Sequence, residues 1–144
     1  MRKTLLLLLP LLLAGCVRQS ASYYVDEQRV RAITVRGEQP YFWNDAVNLL
    51  LVVSNMPECQ RRFPLGDRRV ADVAVELFSA GNGVFIVRAG SEVWQVEVQN
   101  CTQMAAPKLD AMGVPVAVFR LGKGDKMDLE ILKPATSMAT APPT

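Results

Sequence analysis

The chain contains no histidine, and that absence excludes more chemistry than any other feature of its composition. Without imidazole there is no Ser-His or Cys-His nucleophile pair, and the commonest general base and metal ligand are missing. Aromatic residues are scarce, at 7% of the whole. Neither sign of charge dominates: 16 Lys plus Arg stand against 14 Asp plus Glu. A dedicated nucleic-acid binder would carry a clear basic excess, so nucleic acid is not an expected partner. No G-x-S-x-G elbow, no Ser-x-x-Lys and no phosphate-binding glycine loop occurs. Asp67 and Asp72 come nearest to a carboxylate pair, and only tertiary geometry could make them one. The expectation is a non-enzyme, with no catalytic residue, no metal ligand set and no cofactor. A length of 144 residues leaves room for one domain with tails.

What the chain has in concentration is an apolar start. Arg2 and Lys3 precede Thr4–Leu13, a run of about ten residues, nearly all leucine and interrupted by Pro10. A bilayer-spanning helix needs about twenty, so the run reads as a cleaved export signal. It ends in Leu13-Ala14-Gly15-Cys16. This tetrapeptide resembles the lipobox of bacterial lipoprotein precursors. The resemblance implies a thioether-linked diacylglyceryl group on Cys16, cleavage before it by signal peptidase II, and acylation of the new amine. Residues 1–15 are then the signal peptide. The rival is an ordinary secretory signal cut after Ala14 or Gly15, which would leave an unpaired thiol in an oxidising space. In the lipoprotein class an Asp after the cysteine tends to hold the protein at the inner membrane. Val17 stands there instead, so the resemblance implies an outer-membrane anchor with the domain facing the periplasm. Loss of Arg2 and Lys3 takes the formal +2 to zero, so attachment would rest on lipid and not on basic charge.

Residues 16–29 read as the lipidated N-terminus and a polar tether without a sustained period. Residues 133–144 are small, polar and proline-containing, and read as a disordered tail. The domain is then residues 30–132. Its dominant period is two. Val73, Val75 and Leu77 alternate with Asp72, Ala74 and Glu76, which predicts a strand with one buried face. Gly81-Asn82-Gly83 supplies the positive φ angles of a hairpin turn. Val84–Val87 follows as a central strand, Ala89-Gly90-Ser91 turns, and Trp94, Val96 and Val98 alternate with polar residues. Together they form a three-stranded meander. Val114–Leu121 and Met127–Ile131, joined by Gly122-Lys123-Gly124-Asp125, form a second hairpin. Pro115 limits the first of these strands to an edge or to a start just beyond it. Val30–Val35 is a weaker strand. Residues 47–54 (VNLLLVVS) read as a buried strand, although Asn44 or Asp45 could cap a helix there. The fold class expected is mainly β, a small antiparallel sandwich or barrel of about six to seven strands with one disulfide. The alternative is α+β with a helix at 45–54.

With Cys16 assigned to lipid, Cys59 and Cys101 remain as an even pair in an exported chain, and a disulfide between them is expected. It would close a loop of about 40 residues, for which the chain-entropy estimate is about 4 kcal/mol. No C-x-x-C motif points to a redox dithiol, and two thiols are too few ligands for a zinc site. Arg61, Arg62, Arg68 and Arg69 flank a Pro64–Gly66 turn. The plain interpretation is a solvated loop balanced by Glu58, Asp67 and Asp72. The functional one is contact with an anionic partner, since guanidinium groups grip carboxylate or phosphate bidentately. Tyr41-Phe42-Trp43 is the one aromatic run and reads as core, with a ligand groove or interface as the rival. Trp94 alternates with valines and reads as core. The whole resembles small Gram-negative envelope lipoproteins, which implies membrane attachment through lipid. Its partner would be an envelope protein, peptidoglycan or lipopolysaccharide. A periplasmic inhibitor of the lysozyme-inhibitor kind and a small-ligand-binding lipoprotein are the alternatives.

Overall fold

The computed structural model describes residues 17–132 apart from 42, 109, 111 and 123–125. Residues 1–15, expected as a signal peptide, Cys16, and residues 133–144, expected as a tail, lie outside the described residues. The described residues form ten strands: β1 (Val17–Tyr24), β2 (Arg31–Gln39), β3 (Ala46–Asn55), β4 (Cys59–Arg69), β5 (Ala74–Gly81), β6 (Val84–Ala89), β7 (Glu92–Glu97), β8 (Thr102–Met104), β9 (Pro115–Leu121) and β10 (Met127–Ile131). A 3-10 turn, Val70–Asp72, joins β4 to β5. All pairings are antiparallel. One sheet has the order β1-β2-β3-β4 and the other the order β10-β9-β5-β6-β7-β8.

The two inner faces make the core, and the period-two residues supply it. Ile33 and Val35 on β2 and Val47, Leu49, Leu51 and Val53 on β3 face Val75 and Leu77 on β5, Phe85 and Val87 on β6, and Ala117 and Phe119 on β9. Each fully buried Val, Leu, Ile or Phe side chain stabilises the fold by about 1.5–3 kcal/mol relative to exposure. Gly37 lies in the inward row of β2. A Cβ there would meet Val47 Cγ2 at 2.9 Å and Met127 Cε at 3.4 Å, so the glycine lets β10 pack down onto the first sheet. The outer face of the larger sheet carries a second cluster of Phe78, Ile86 and Met112, with Val93 against it. Met112 comes from the β8–β9 connection, and the Arg88 guanidinium lies 5.4 Å from the centre of the Phe78 ring.

The mainly β class, the meander β5-β6-β7, the hairpin β9-β10 and the strand reading of residues 47–54 all hold, and no helix forms at 45–54. The turn between β5 and β6 has φ 53° at Asn82 and 74° at Gly83, the left-handed pair that a two-residue hairpin loop needs. The structure corrects three expectations and decides between the two placements open to Pro115. Residues 17–24 are a strand and not a tether, because all eight pair with β2. The arginine segment is also a strand, β4, interrupted by a bulge that leaves Leu65 fully buried and Gly66 at φ 82°. Pro115 begins β9, which lies between β10 and β5 and is not an edge. It occupies the first strand position, where a missing N–H is tolerated. Strand count rises accordingly, since β1, β4 and β8 are polar edge or end strands.

Candidate functional site

The four arginines proposed as an anion-binding loop are spread along β4. Arg62 pairs with Val52 and Arg69 with Ala46, both on the outer face. At 3.3–3.4 Å per residue they are separated by roughly 20 Å. Arg61 and Arg68 belong to the opposite face, beside Val53 and Val47. Arg61, Arg62 and Arg69 are exposed. Arg68 is engaged elsewhere: its guanidinium donates to Ala89 O at 3.2 Å and pairs with Glu92 at 2.9 Å, tying β4 to the β6–β7 turn. Three exposed cations on two faces of one edge strand form a diffuse basic stripe and not a single anion pocket. Asp67, between them, accepts a hydrogen bond from Asn48 Nδ2 at 2.8 Å.

The feature that the sequence reading placed in the core is at the surface. Tyr41 is 53% exposed and Trp43 63% exposed. Their rings stack at 5.0 Å with planes 13° apart. Phe42, between them, lies outside the described residues. The loop geometry explains the exposure. Pro40 ends β2, because it has no N–H to continue a ladder. Asn44 then closes the turn, its N–H donating to Tyr41 O at 3.1 Å and its Oδ1 accepting from Ala46 N at 3.1 Å. That hairpin leaves the Tyr41 and Trp43 rings exposed at the end of the sandwich. Beneath it, Gln39 ends the inward row of β2 and is buried. Its Nε2 donates to Asn44 O at 2.8 Å, while its Oε1 has no hydrogen-bond partner among the described residues. Beside it an open cleft of about 300 Å³ is lined by Arg18, Glu38, Gln39, Pro40 and Asn48. Arg18 and Glu38 face each other across β1 and β2 with a 3.7 Å ion pair.

At the opposite end of the sandwich the expected disulfide is present. Cys59 and Cys101 are bonded, with Cα atoms 6.1 Å apart. Local chemistry delivers Cys101 there. The Glu97 carboxylate accepts the Gln99 and Asn100 backbone N–H groups and the Asn100 side-chain amide, which folds the turn after β7. Asn55 Nδ2 donates to Gln99 O at 2.9 Å and reinforces the junction. The bridge therefore links the start of β4, at the edge of one sheet, to the turn just before β8, at the edge of the other. Trp94 packs against the core as expected, half-buried.

Among the described residues no group of three or more His, Cys, Asp or Glu could hold a metal ion. Among them no helix is long and apolar enough to cross a membrane. The molecule is, by class, a disulfide-tied antiparallel β-sandwich of four and six strands. Comparisons with protein-family models, with curated proteins and with solved structures find no match for the chain.

Proposed function

We propose that this chain is a lipid-anchored lipoprotein of the bacterial cell envelope that acts by contact with another envelope component and not by catalysis. The observation that carries the reading is an order of features: Leu13-Ala14-Gly15-Cys16, then a strand starting at the next residue, then a β-sandwich closed by a disulfide. The bridge supports an oxidising compartment, which an exported chain reaches. Val17 supports the outer membrane over the inner one. Two or more acyl chains on Cys16 would give stable attachment, at about 0.8 kcal/mol per buried CH₂. The exposed Arg61, Arg62 and Arg69 support an anionic partner, such as peptidoglycan carboxylates or lipopolysaccharide phosphates.

The test is expression of the full precursor in a Gram-negative host with an alkyne fatty acid as metabolic label. The expected result is label on a chain that begins at Cys16, membrane fractionation, and loss of both in Cys16→Ser. An unlabelled chain with a free Cys16 thiol, recovered in the soluble periplasmic fraction, would count against the anchor. The contact reading is tested separately by crosslinking in intact cells. A partner should be captured by the parent and lost from the triple variant Arg61→Ala, Arg62→Ala, Arg69→Ala at unchanged stability.

A further inference from the structure

We infer that the Tyr41–Trp43 hairpin is a membrane-seating element: it lies in the headgroup layer of the bilayer that holds the Cys16 lipid. It thereby fixes the sandwich with its disulfide end pointing away from the membrane. The inference rests on the anchoring reading above and adds an orientation and a contact surface to it.

Covalent geometry makes the argument. The strand β1 begins at Val17, and Val17 pairs with Gln39. Neighbouring strands place such partners about 4.5–5.5 Å apart. The lipid-bearing position is one peptide step from Val17, about 3.8 Å. Tyr41 is two residues beyond Gln39, a span of about 7 Å at most. The aromatic hairpin and the lipid attachment point are thus within roughly 15 Å of each other, with no spacer between lipid and fold. The headgroup and interfacial layer is about 5–7 Å deep on each side of the hydrocarbon core. A diacylglyceryl thioether seated in that layer brings this end of the sandwich against the membrane.

The side chains at that end suit the layer. Tyr and Trp are the residues that concentrate at membrane–water interfaces, where an amphipathic ring meets both phases. Tyr41 and Trp43 are among the most exposed aromatic rings of the described chain. Arg18, two positions after the lipidated residue and with a 70% exposed side chain, is placed to reach lipid phosphates. Asp45 and Asp72 are exposed near the same end, so charge alone does not drive the contact; ring burial and the tether length do. Of the other exposed large apolar side chains, Tyr24, Val30 and Met56 form a group at the far end with the β1–β2 and β3–β4 turns. This orientation leaves it in water.

The experiment uses the full lipoprotein, purified from a Gram-negative host and reconstituted in phosphatidylethanolamine–phosphatidylglycerol vesicles with or without bromine on the acyl chains near the headgroups. Trp94→Phe leaves Trp43 as the sole tryptophan. Its emission should shift to the blue on reconstitution and lose roughly half or more of its intensity in brominated vesicles, as a ring at headgroup level would. Trp43→Phe, which leaves the half-buried Trp94, should be quenched little. Met56→Trp in a chain carrying Trp43→Phe and Trp94→Phe should be quenched no more than in detergent-free buffer with free bromide. Lipidation of each variant is verified by mass spectrometry of the Cys16 peptide. A lipidated protein whose Trp43 emission ignores bromine, or whose Met56→Trp emission is quenched as strongly as Trp43, overturns the seating inference alone. Absence of lipid on Cys16 overturns the anchoring reading and the inference with it.

Discussion

Single residues decide how closely the two sheets approach. Gly37 is the clearest case, because its missing Cβ is occupied space: Val47 and Met127 already fill it. Gly37→Ala should cost about 1–3 kcal/mol, the range for overpacking a well-packed core, read as a lower urea midpoint with an unchanged slope. The same substitution at Gly90, where nothing lies within 4 Å of the added atom, tests backbone strain alone, since that glycine has φ 63°. Asp26 works by hydrogen bonding. It accepts from Arg31 Nε at 2.8 Å, Val30 N at 3.1 Å and Arg31 N at 3.3 Å, closing the β1–β2 loop. The Arg31 side chain, first, and the two backbone donors hold its carboxyl below the usual carboxylate range, against desolvation. A carboxyl depressed in the folded state contributes stability that is complete above the unfolded value and is lost as pH falls through the folded one. Asp26→Asn should therefore be less stable than the parent at about pH 7, and the gap should be narrower at about pH 3, below the ordinary carboxylate value. Urea melts at both pH values check the sign. Neither residue was legible as special in the sequence. Gly37 sits mid-strand without a turn signal, and Asp26 lies in a segment with no period.

Elements were legible where one face is apolar and the other polar, the edge strand β10 included, and illegible in the polar edge strands β1, β4 and β8. The alternation around Val75, Val87 and Val96 is a direct imprint of a buried face, so β5, β6 and β7 could be placed from it. The segment Cys59–Arg69 carries four arginines, Pro64 and Gly66, which locally argue for a loop. An edge strand tolerates all of these. It has one unpaired side, so proline forfeits no ladder bond there and charge discourages edge-to-edge association. For the same reason the arginines could not be divided by sequence into structural and free ones. Geometry divides them: Arg68→Ala should lower stability by about 1 kcal/mol, a figure already discounted for the exposure of Glu92. Arg61→Ala with Arg62→Ala should stay within about 0.5 kcal/mol of the parent. Thermal melts of the two variants make the comparison. The disulfide operates between elements. Cys59→Ser with Cys101→Ser should remove about 2–4 kcal/mol, and the parent should show the same loss under reductant. Counting cysteines in a chain expected to be exported predicted this bond, because it does not depend on the loops around them.

At the scale of the whole molecule the two ends of the sandwich differ. The described chain enters beside the β2–β3 hairpin and leaves at Leu132, whose N–H donates to Val116 O near the start of β9 at the other end. The aromatic hairpin was misread as core because ring-rich runs usually bury. The deciding fact, that Pro40 and Asn44 turn the chain out of the sheet, is a tertiary placement. The tether was misread because β1 has little apolar content of its own. Its apolar side chains packed against the core are Ala21 and Tyr23, and Tyr23 meets Phe85 edge-on at 6.0 Å. A strand of that composition is held by its partner and not by its own propensity. If β1 is a structural edge, the domain cannot be separated from the residues that follow Cys16. A chain starting at Val17 should be a monomer with a cooperative melt. One starting at Val25 should lose the Tyr23–Phe85 contact and bare the long edge of β2 for pairing with other chains. Size-exclusion chromatography and thermal melts of the two chains separate the readings: equal stability and equal monomeric behaviour would restore the tether. Association or a lower melting temperature of the shorter chain would establish that the fold begins at the residue after Cys16. If Cys16 carries lipid as proposed, a domain that begins there has no slack with which to stand off from the membrane.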